Sequence, residues 1–177
     1  MPHTELDLNP VQHITADAIG QPGQRVFYLQ GWQAEDIQPV TLIIEKIQLQ
    51  TLAAGLEQLL AEVLRQNPSL VDTGEAYEAE KMRINPPVDP LFRAGELGLG
   101  YDAEQDLVVI LVREILLEDA DPDAASVVRF WCSRKQARWL AGWGKEVVER
   151  GRPICPQCGQ PMEPEGHFCP KKNGHKH

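Results

Sequence analysis

Twice along this chain, three short runs of β-branched and aromatic residues are followed by one long stretch in which apolar residues recur every third or fourth position. The first three runs are 11–18, 25–31 (RVFYLQG) and 40–45 (VTLIIE), each of strand length and of the composition that packs on a pleated surface. From Ile47 the period changes. Leu49, Leu52, Leu56, Leu59, Leu60 and Val63 share one stripe, which predicts an amphipathic helix over 49–64 that Asn67-Pro68 ends. The second set of runs, 91–99, 107–117 and 127–132, leads into a helix predicted over 134–150.

A shift of 88 residues lays Val40, Leu42 and Ile44 on Val128, Phe130 and Cys132, and Leu52, Leu59 and Leu60 on Leu140, Val147 and Val148. This order predicts an α+β domain over 1–150 built from two β-β-β-α units, a pseudo-repeat of 10–66 and 91–150 related by a pseudo-twofold. The match is one of hydrophobic pattern, so chance agreement between two strand-helix pairs stands beside a true repeat. Short strand-to-strand connections call for mainly antiparallel pairing. The runs 107–117 and 127–132 are apolar on both faces, which predicts central strands covered on both sides. The polar, proline-bounded stretch 67–90 is expected to be a loop and the most mobile part of the domain.

A chain of 177 residues buries one good core. It carries no apolar run behind a basic segment and no stretch of 18 apolar residues, so a soluble cytoplasmic protein without membrane contact is expected. The net charge of −9 conceals an asymmetry: residues 1–128 hold 7 basic and 22 acidic side chains, whereas 129–177 hold 10 basic and 4 acidic. A basic end can attract an anionic partner. Alternatively, the two parts neutralise each other within the fold.

Residues 151–177 form a separate unit. Cys155 and Cys158 make a C-x-x-C knuckle, and His167 and Cys169 follow a short loop holding Pro161, Pro164 and Gly166. Three thiolates and an imidazole at this spacing suit tetrahedral Zn(2+). His175 is the alternative fourth ligand, and a disulfide or two free thiols are the alternatives to a metal, the disulfide being disfavoured in a cytosolic chain. Four protein ligands close the coordination sphere, which makes the zinc structural. Zinc-finger peptides gain roughly 10 to 16 kcal/mol on binding metal, enough to order a segment too short and polar to fold alone.

Elsewhere the signals are weaker. Gly20-Gln-Pro-Gly23-Gln-Arg25 could offer backbone N–H groups and the Arg25 guanidinium to a phosphate, but no Gly-Lys-Ser/Thr follows and a strand, not a helix, comes next, so a hairpin turn is the simpler account. Asp119-Ala-Asp121-Pro-Asp123 opens like a calcium loop, yet Ala124 takes the place of the glycine and Phe130 that of the bidentate glutamate. His13 is a lone strand histidine. On the second helix Arg134, Lys135, Arg138 and Lys145 accompany Trp139 and Trp143, four positions apart on one side. With Lys171 and Lys172 of the tail, Arg134, Arg138, Trp139 and Trp143 are expected to form a basic aromatic face for a protein or nucleic-acid partner, the competing account being core edge. No nucleophile-base pair stands out, so a zinc-stabilised binding module is favoured over an enzyme acting on a small anionic substrate through a pocket near Arg25.

Three motifs occur together: GQPGQR-x-F-x-L-Q over 20–30, E-K-x-Q-L-x-x-L-A over 45–53, and G-R-P-x-C-P-x-C-G-x-P-x-x-P-E-G-H-x-C-P-x-x-N-G over 151–174. In combination they resemble an uncharacterised bacterial family, domain of unknown function 3090, from about residue 11 to the C-terminus. The resemblance implies that the motifs belong to one domain and carries no activity or catalytic residue with it. Where the family pattern would end in arginines, this chain has His175-Lys176-His177.

The tail's spacing sets the first test. Metal analysis of the purified protein is expected to give one zinc per chain, and Cys155→Ser to lose it. If His167→Ala retains full affinity while His175→Ala does not, the fourth ligand is His175.

Overall fold

The structure, a computed structural model, describes residues 3–21, 23–35, 37–71, 74, 76–150 and 156–157. Its elements are β1 (Glu5–Leu8), β2 (His13–Ile19), β3 (Val26–Trp32), β4 (Val40–Ile44), α1 (Lys46–Gln66), β5 (Pro90–Asp102), β6 (Leu107–Glu114), β7 (Val127–Cys132) and α2 (Arg134–Glu149), with 3-10 turns at Ala79–Met82 and Pro122–Ala124. The chain is therefore α+β, with two successive β-β-β-α runs behind a short leading strand.

One seven-stranded sheet holds all the described strands in the order β1-β7-β6-β5-β4-β3-β2. Consecutive strands pair antiparallel, β2 with β3, β3 with β4, β5 with β6 and β6 with β7. Two junctions are parallel, β4 with β5 and β1 with β7, so the sheet is mixed. The β4/β5 junction corrects the expected pseudo-twofold, because a twofold would bring equivalent strands together at the centre, and β4 and β5 are not equivalent. Helix α1 is the cause: it carries the chain back over the sheet before β5 begins, and such a crossover returns a parallel strand. β1 was not anticipated. Its ELDL is four residues long and half acidic, and only pairing with β7, more than a hundred residues away, makes it a strand.

One face of the sheet carries the core. Ile14, Ala16, Leu29, Leu42, Ile44, Val108, Ile110, Val112, Val128 and Phe130 are buried there beneath Leu49, Leu52, Leu56 and Leu60 of α1 and Ala137, Leu140, Trp143 and Val147 of α2. Both helices begin in capping boxes, Glu45 with Gln48 and Ser133 with Gln136, which satisfy N–H groups the helix itself cannot. The sheet curls until its far strands approach. The Val11 N–H donates to the Trp131 carbonyl at 2.8 Å, and a Cβ on Gly31 would lie 2.8 Å from the Phe130 ring, so this closure requires glycine.

The opposite face of β2–β4 carries His13, Thr15 and Asp17 beside Trp32, Gln30 and Thr41, as the register dictates. Polar side chains on alternate strand positions ordinarily face water. Here Thr15, Asp17, Gln30 and Thr41 are buried, because residues 81–85 lie across them. The Thr15 hydroxyl donates to the Met82 carbonyl, and the Gln30 amide donates to the Asn85 carbonyl at 2.9 Å while accepting from the Asn85 N–H at 2.7 Å. Asp17 accepts from Arg83 Nε at 3.0 Å and from the Ile84 N–H at 3.4 Å. This part of the connection expected to be mobile is thus strapped to the sheet, with Met82 buried beneath it.

Gln30 also donates to Thr41 Oγ1 at 3.0 Å, so it ties two strands and the strap together. Gln30→Leu removes these bonds at nearly constant volume and leaves the Asn85 backbone groups unmatched. It is expected to cost about 2 to 3 kcal/mol in urea unfolding and to raise amide exchange in 81–86 above that of α1.

Candidate functional site

The residues expected to form a basic aromatic face do not share one environment. Trp143 is wholly buried; its indole N–H donates to the Ala16 carbonyl, its ring meets Tyr77 edge-on at 6.0 Å, and the Arg150 guanidinium lies 4.8 Å above it. That is a core tryptophan, anchoring α2 to β2. Arg134 faces the β5–β6 hairpin, where its Nε and Nη2 bond both carboxylate oxygens of Asp106 at 2.8 and 3.1 Å and its Nη1 donates to the Val71 carbonyl. The guanidinium and the Tyr101 hydroxyl hold the Asp106 carboxyl below its usual range, the guanidinium contributing more. Asp106 has φ of 53°, a left-handed turn position that Asp tolerates.

Trp139 and Arg138 lie elsewhere, at a groove between the two helices. Glu57, Leu60, Ala61 and Leu64 of α1 form one wall, Arg138, Trp139 and Gly142 of α2 the other, and Ala76 and Tyr77 close one end around about 530 Å³. Trp139 is half-buried, with Lys135 Nζ 4.8 Å from its ring. Tyr77 donates to Glu146 at 2.6 Å; burial first, and this bond second, push its hydroxyl up to about 12, so it stays protonated. The walls are mostly apolar, which suits recognition of side chains rather than proton transfer.

Arg25 stands at the start of β3, after a turn in which Gly20 and Gly23 have φ of 119° and 87°, values that other residues seldom adopt. Its guanidinium donates to the carbonyls of Val147 and Val148 at 2.9 and 3.4 Å and lies 4.7 Å over the Phe27 ring. Those carbonyls belong to the last turn of α2, which lacks intrahelical donors and carries partial negative charge. Arg25 caps a helix there. Burial lowers its pKa, with the charge of Asp17 opposing that shift.

Sequence reasoning passed over a polar cleft of about 340 Å³ where the strap leaves β2, lined by His13, Trp32, Glu35, Glu80, Lys81 and Arg83 among others. The His13 ring rests against Trp32 with centroids 4.8 Å apart and bonds the Lys81 backbone, while Nε2 is buried with no hydrogen-bond partner among the described residues. Burial is the larger effect and lowers its pKa, so the ring is neutral at pH 7. The pairing of His13 with Trp32 was the only available signal, and it emerges only once the register is known. Cys132, the one cysteine with described surroundings, is buried in the core, where burial pushes its thiol up to about 12 and leaves it unreactive at neutral pH.

Among the described residues no group of three or more His, Cys, Asp or Glu is placed to hold a metal, and no helix is long and apolar enough to cross a membrane. Cys155, Cys158, His167, Cys169, Lys171 and Lys172 lie outside the described residues. A family model described as "Protein of unknown function (DUF3090)" matches residues 6–169. The chain belongs to this family. The DUF3090 match runs from β1 to Cys169, so the strand-helix domain and the Cys/His segment fall within one family pattern. No curated protein and no solved structure matches the chain.

His13 predicts how this DUF3090 domain responds to acid. Its folded pKa lies below the unfolded value, so the stability of the neutral ring is fully present above about pH 6.5 and is lost as pH falls, since the unfolded chain takes up the proton first. Glu35, Glu80, Lys81 and Arg83 line the same cleft with both signs of charge, and burial decides the direction. Urea unfolding of His13→Gln is expected to vary less between about pH 7 and 5 than that of the parent; equal slopes would assign the acid sensitivity to other groups.

Proposed function

We propose that this DUF3090 protein is a binding module, stabilised by a structural zinc in its tail, that recognises a protein partner through the groove between α1 and α2. The half-buried Trp139 ring in a mostly apolar groove of about 530 Å³ carries the reading. A half-buried aromatic ring in a mostly apolar groove is the kind of anchor on which binding energy concentrates. Arg138 at the same groove supplies a directional contact.

A protein partner is favoured over a nucleic acid by how the neighbouring cations are used. Arg134 pairs with Asp106 and Lys145 with Glu57, so a phosphate backbone would have to displace carboxylates already in place. The enzyme reading loses its support at Arg25, whose guanidinium is engaged by α2 and Phe27. For the tail, three thiolates and an imidazole in C-x-x-C and H-x-C pairs remain a donor set that suits tetrahedral zinc.

The test is a phage-displayed random peptide library selected on the purified protein. Peptides carrying a large apolar residue are expected to be enriched and to bind Trp139→Ala and Leu64→Asp at least about tenfold more weakly, with melting temperatures close to that of the parent. Selection of no peptide, or of peptides that bind parent and variants equally, overturns the groove as the recognition site.

A further inference from the structure

The strap over 81–85 is held to the sheet by polar bonds far more than by apolar burial. Of its five residues only Met82 is buried, and its described attachments to the sheet come from four side chains: Thr15, Gln30, Asp17 and His13. A segment attached in this way opens at a smaller free energy than the core does. His13 is the attachment that titrates near neutral pH. Its bond to the Lys81 backbone raises the pKa, so the ring N–H donates and the carbonyl accepts; because Nε2 has no partner, the donor is Nδ1. The neutral tautomer with its proton on Nδ1 therefore fits the docked strap.

The charged ring does not fit. Protonation places an N–H on Nε2, a buried atom with no hydrogen-bond partner among the described residues, and a buried donor left unmatched is costly. To reach water the ring must lose one of its covers. Trp32, against which it rests, is fixed by the β2–β3 ladder, in which seven positions are paired, whereas the strap has no ladder to break. We propose that His13 is a proton-operated latch: uptake of a proton at Nε2 releases 81–85 from β2–β4 while the sheet and both helices stay folded. The charged groups around the ring do not oppose this. Glu35 from the β3–β4 connection and Glu80, Lys81 and Arg83 from the strap line the cleft, two of each sign. Lys81 is paired with Glu78 and Arg83 with Asp17, and neither Glu35 nor Glu80 bonds Nε2. The sign follows from linkage. Burial holds the ring below its ordinary 6.5 when the strap is docked and release returns it towards that value, so opening is favoured as pH falls through 6.5. Between pH 7.5 and 5.5 the opening equilibrium rises by up to about tenfold.

Amide exchange of the full chain at pH 7.5 and 5.5, measured by NMR and divided by the intrinsic rates, tests the latch. The N–H groups of Ile84 and Asn85, which bond Asp17 and Gln30, report the strap, and those of Leu52 and Leu56 in α1 report global opening. Protection of Ile84 and Asn85 relative to α1 is expected to fall by up to about tenfold at the lower pH. His13→Gln, whose amide can still donate to the Lys81 carbonyl but does not titrate, is expected to abolish that fall. A second readout needs no variant: in the parent, the His13 Cε1–H resonance and the strap amides are expected to titrate with one midpoint. Relative protection that does not change with pH overturns the proposal, as do separate midpoints. A fall that persists in His13→Gln overturns it too, and assigns the release to another group such as Asp17.

Discussion

The amide of Gln30 cannot be buried in the middle of a sheet without partners, and the way it finds them organises half of the molecule. An unmatched buried amide costs several times what a made hydrogen bond contributes, so burying this face requires a segment that supplies a carbonyl and an N–H at the right height. Asn85 supplies both, and His13, Thr15 and Asp17 engage residues 81–84 in sequence along β2. An apolar face would have accepted any apolar cover. A polar one accepts only a segment in register, which is why a stretch of low hydrophobicity is ordered here.

Helix α2 is held by the same economy of backbone groups. Gln136 donates to the Gln12 carbonyl at its start, Trp143 to the Ala16 carbonyl at its middle, and Arg25 to the Val147 and Val148 carbonyls at its end. Three attachments to β2 and β3 leave the helix little freedom to rotate. Its tryptophans are consequently divided, Trp143 inward and Trp139 to the groove, although they sit one helical turn apart.

That division shows where sequence reasoning runs short. Periodicity located six strands and both helices because each is a local pattern of ordinary length, and an i, i+4 spacing correctly put both tryptophans on one side of α2. It could not say how wide the core stripe was, and a difference of a few tens of degrees separates a wholly buried ring from a half-buried one. β1, the parallel β4/β5 junction and the strap depend on partners distant in sequence, so composition carried no sign of them. Nothing local in the sequence distinguishes Gln30 and Thr15, which face another segment's backbone, from polar strand residues facing water. Arg25 beside two glycines likewise resembles a phosphate-binding turn until the end of α2 is known to lie against it.

The charge asymmetry between the chain's two parts acquires a different meaning in the fold. Acidic residues of 1–128 and basic residues of 129–149 meet as Glu5 and Asp7 with Arg129, Glu57 with Lys145, and Asp106 with Arg134. Exposed pairs of this kind contribute less than about 1 kcal/mol each and stabilise little. The Asp106 pair is stronger in kind, since the Arg134 side chain is only 11% exposed and binds in a two-pronged geometry. Their larger effect is on specificity. β1 and α2 are joined to the rest by contacts across long sequence separations, and complementary charge disfavours their docking in other registers, where like charges would face one another. Among the described residues, Arg129, Arg134 and Lys145 thus meet acidic residues of 1–128, so this part of the asymmetry is neutralised within the fold.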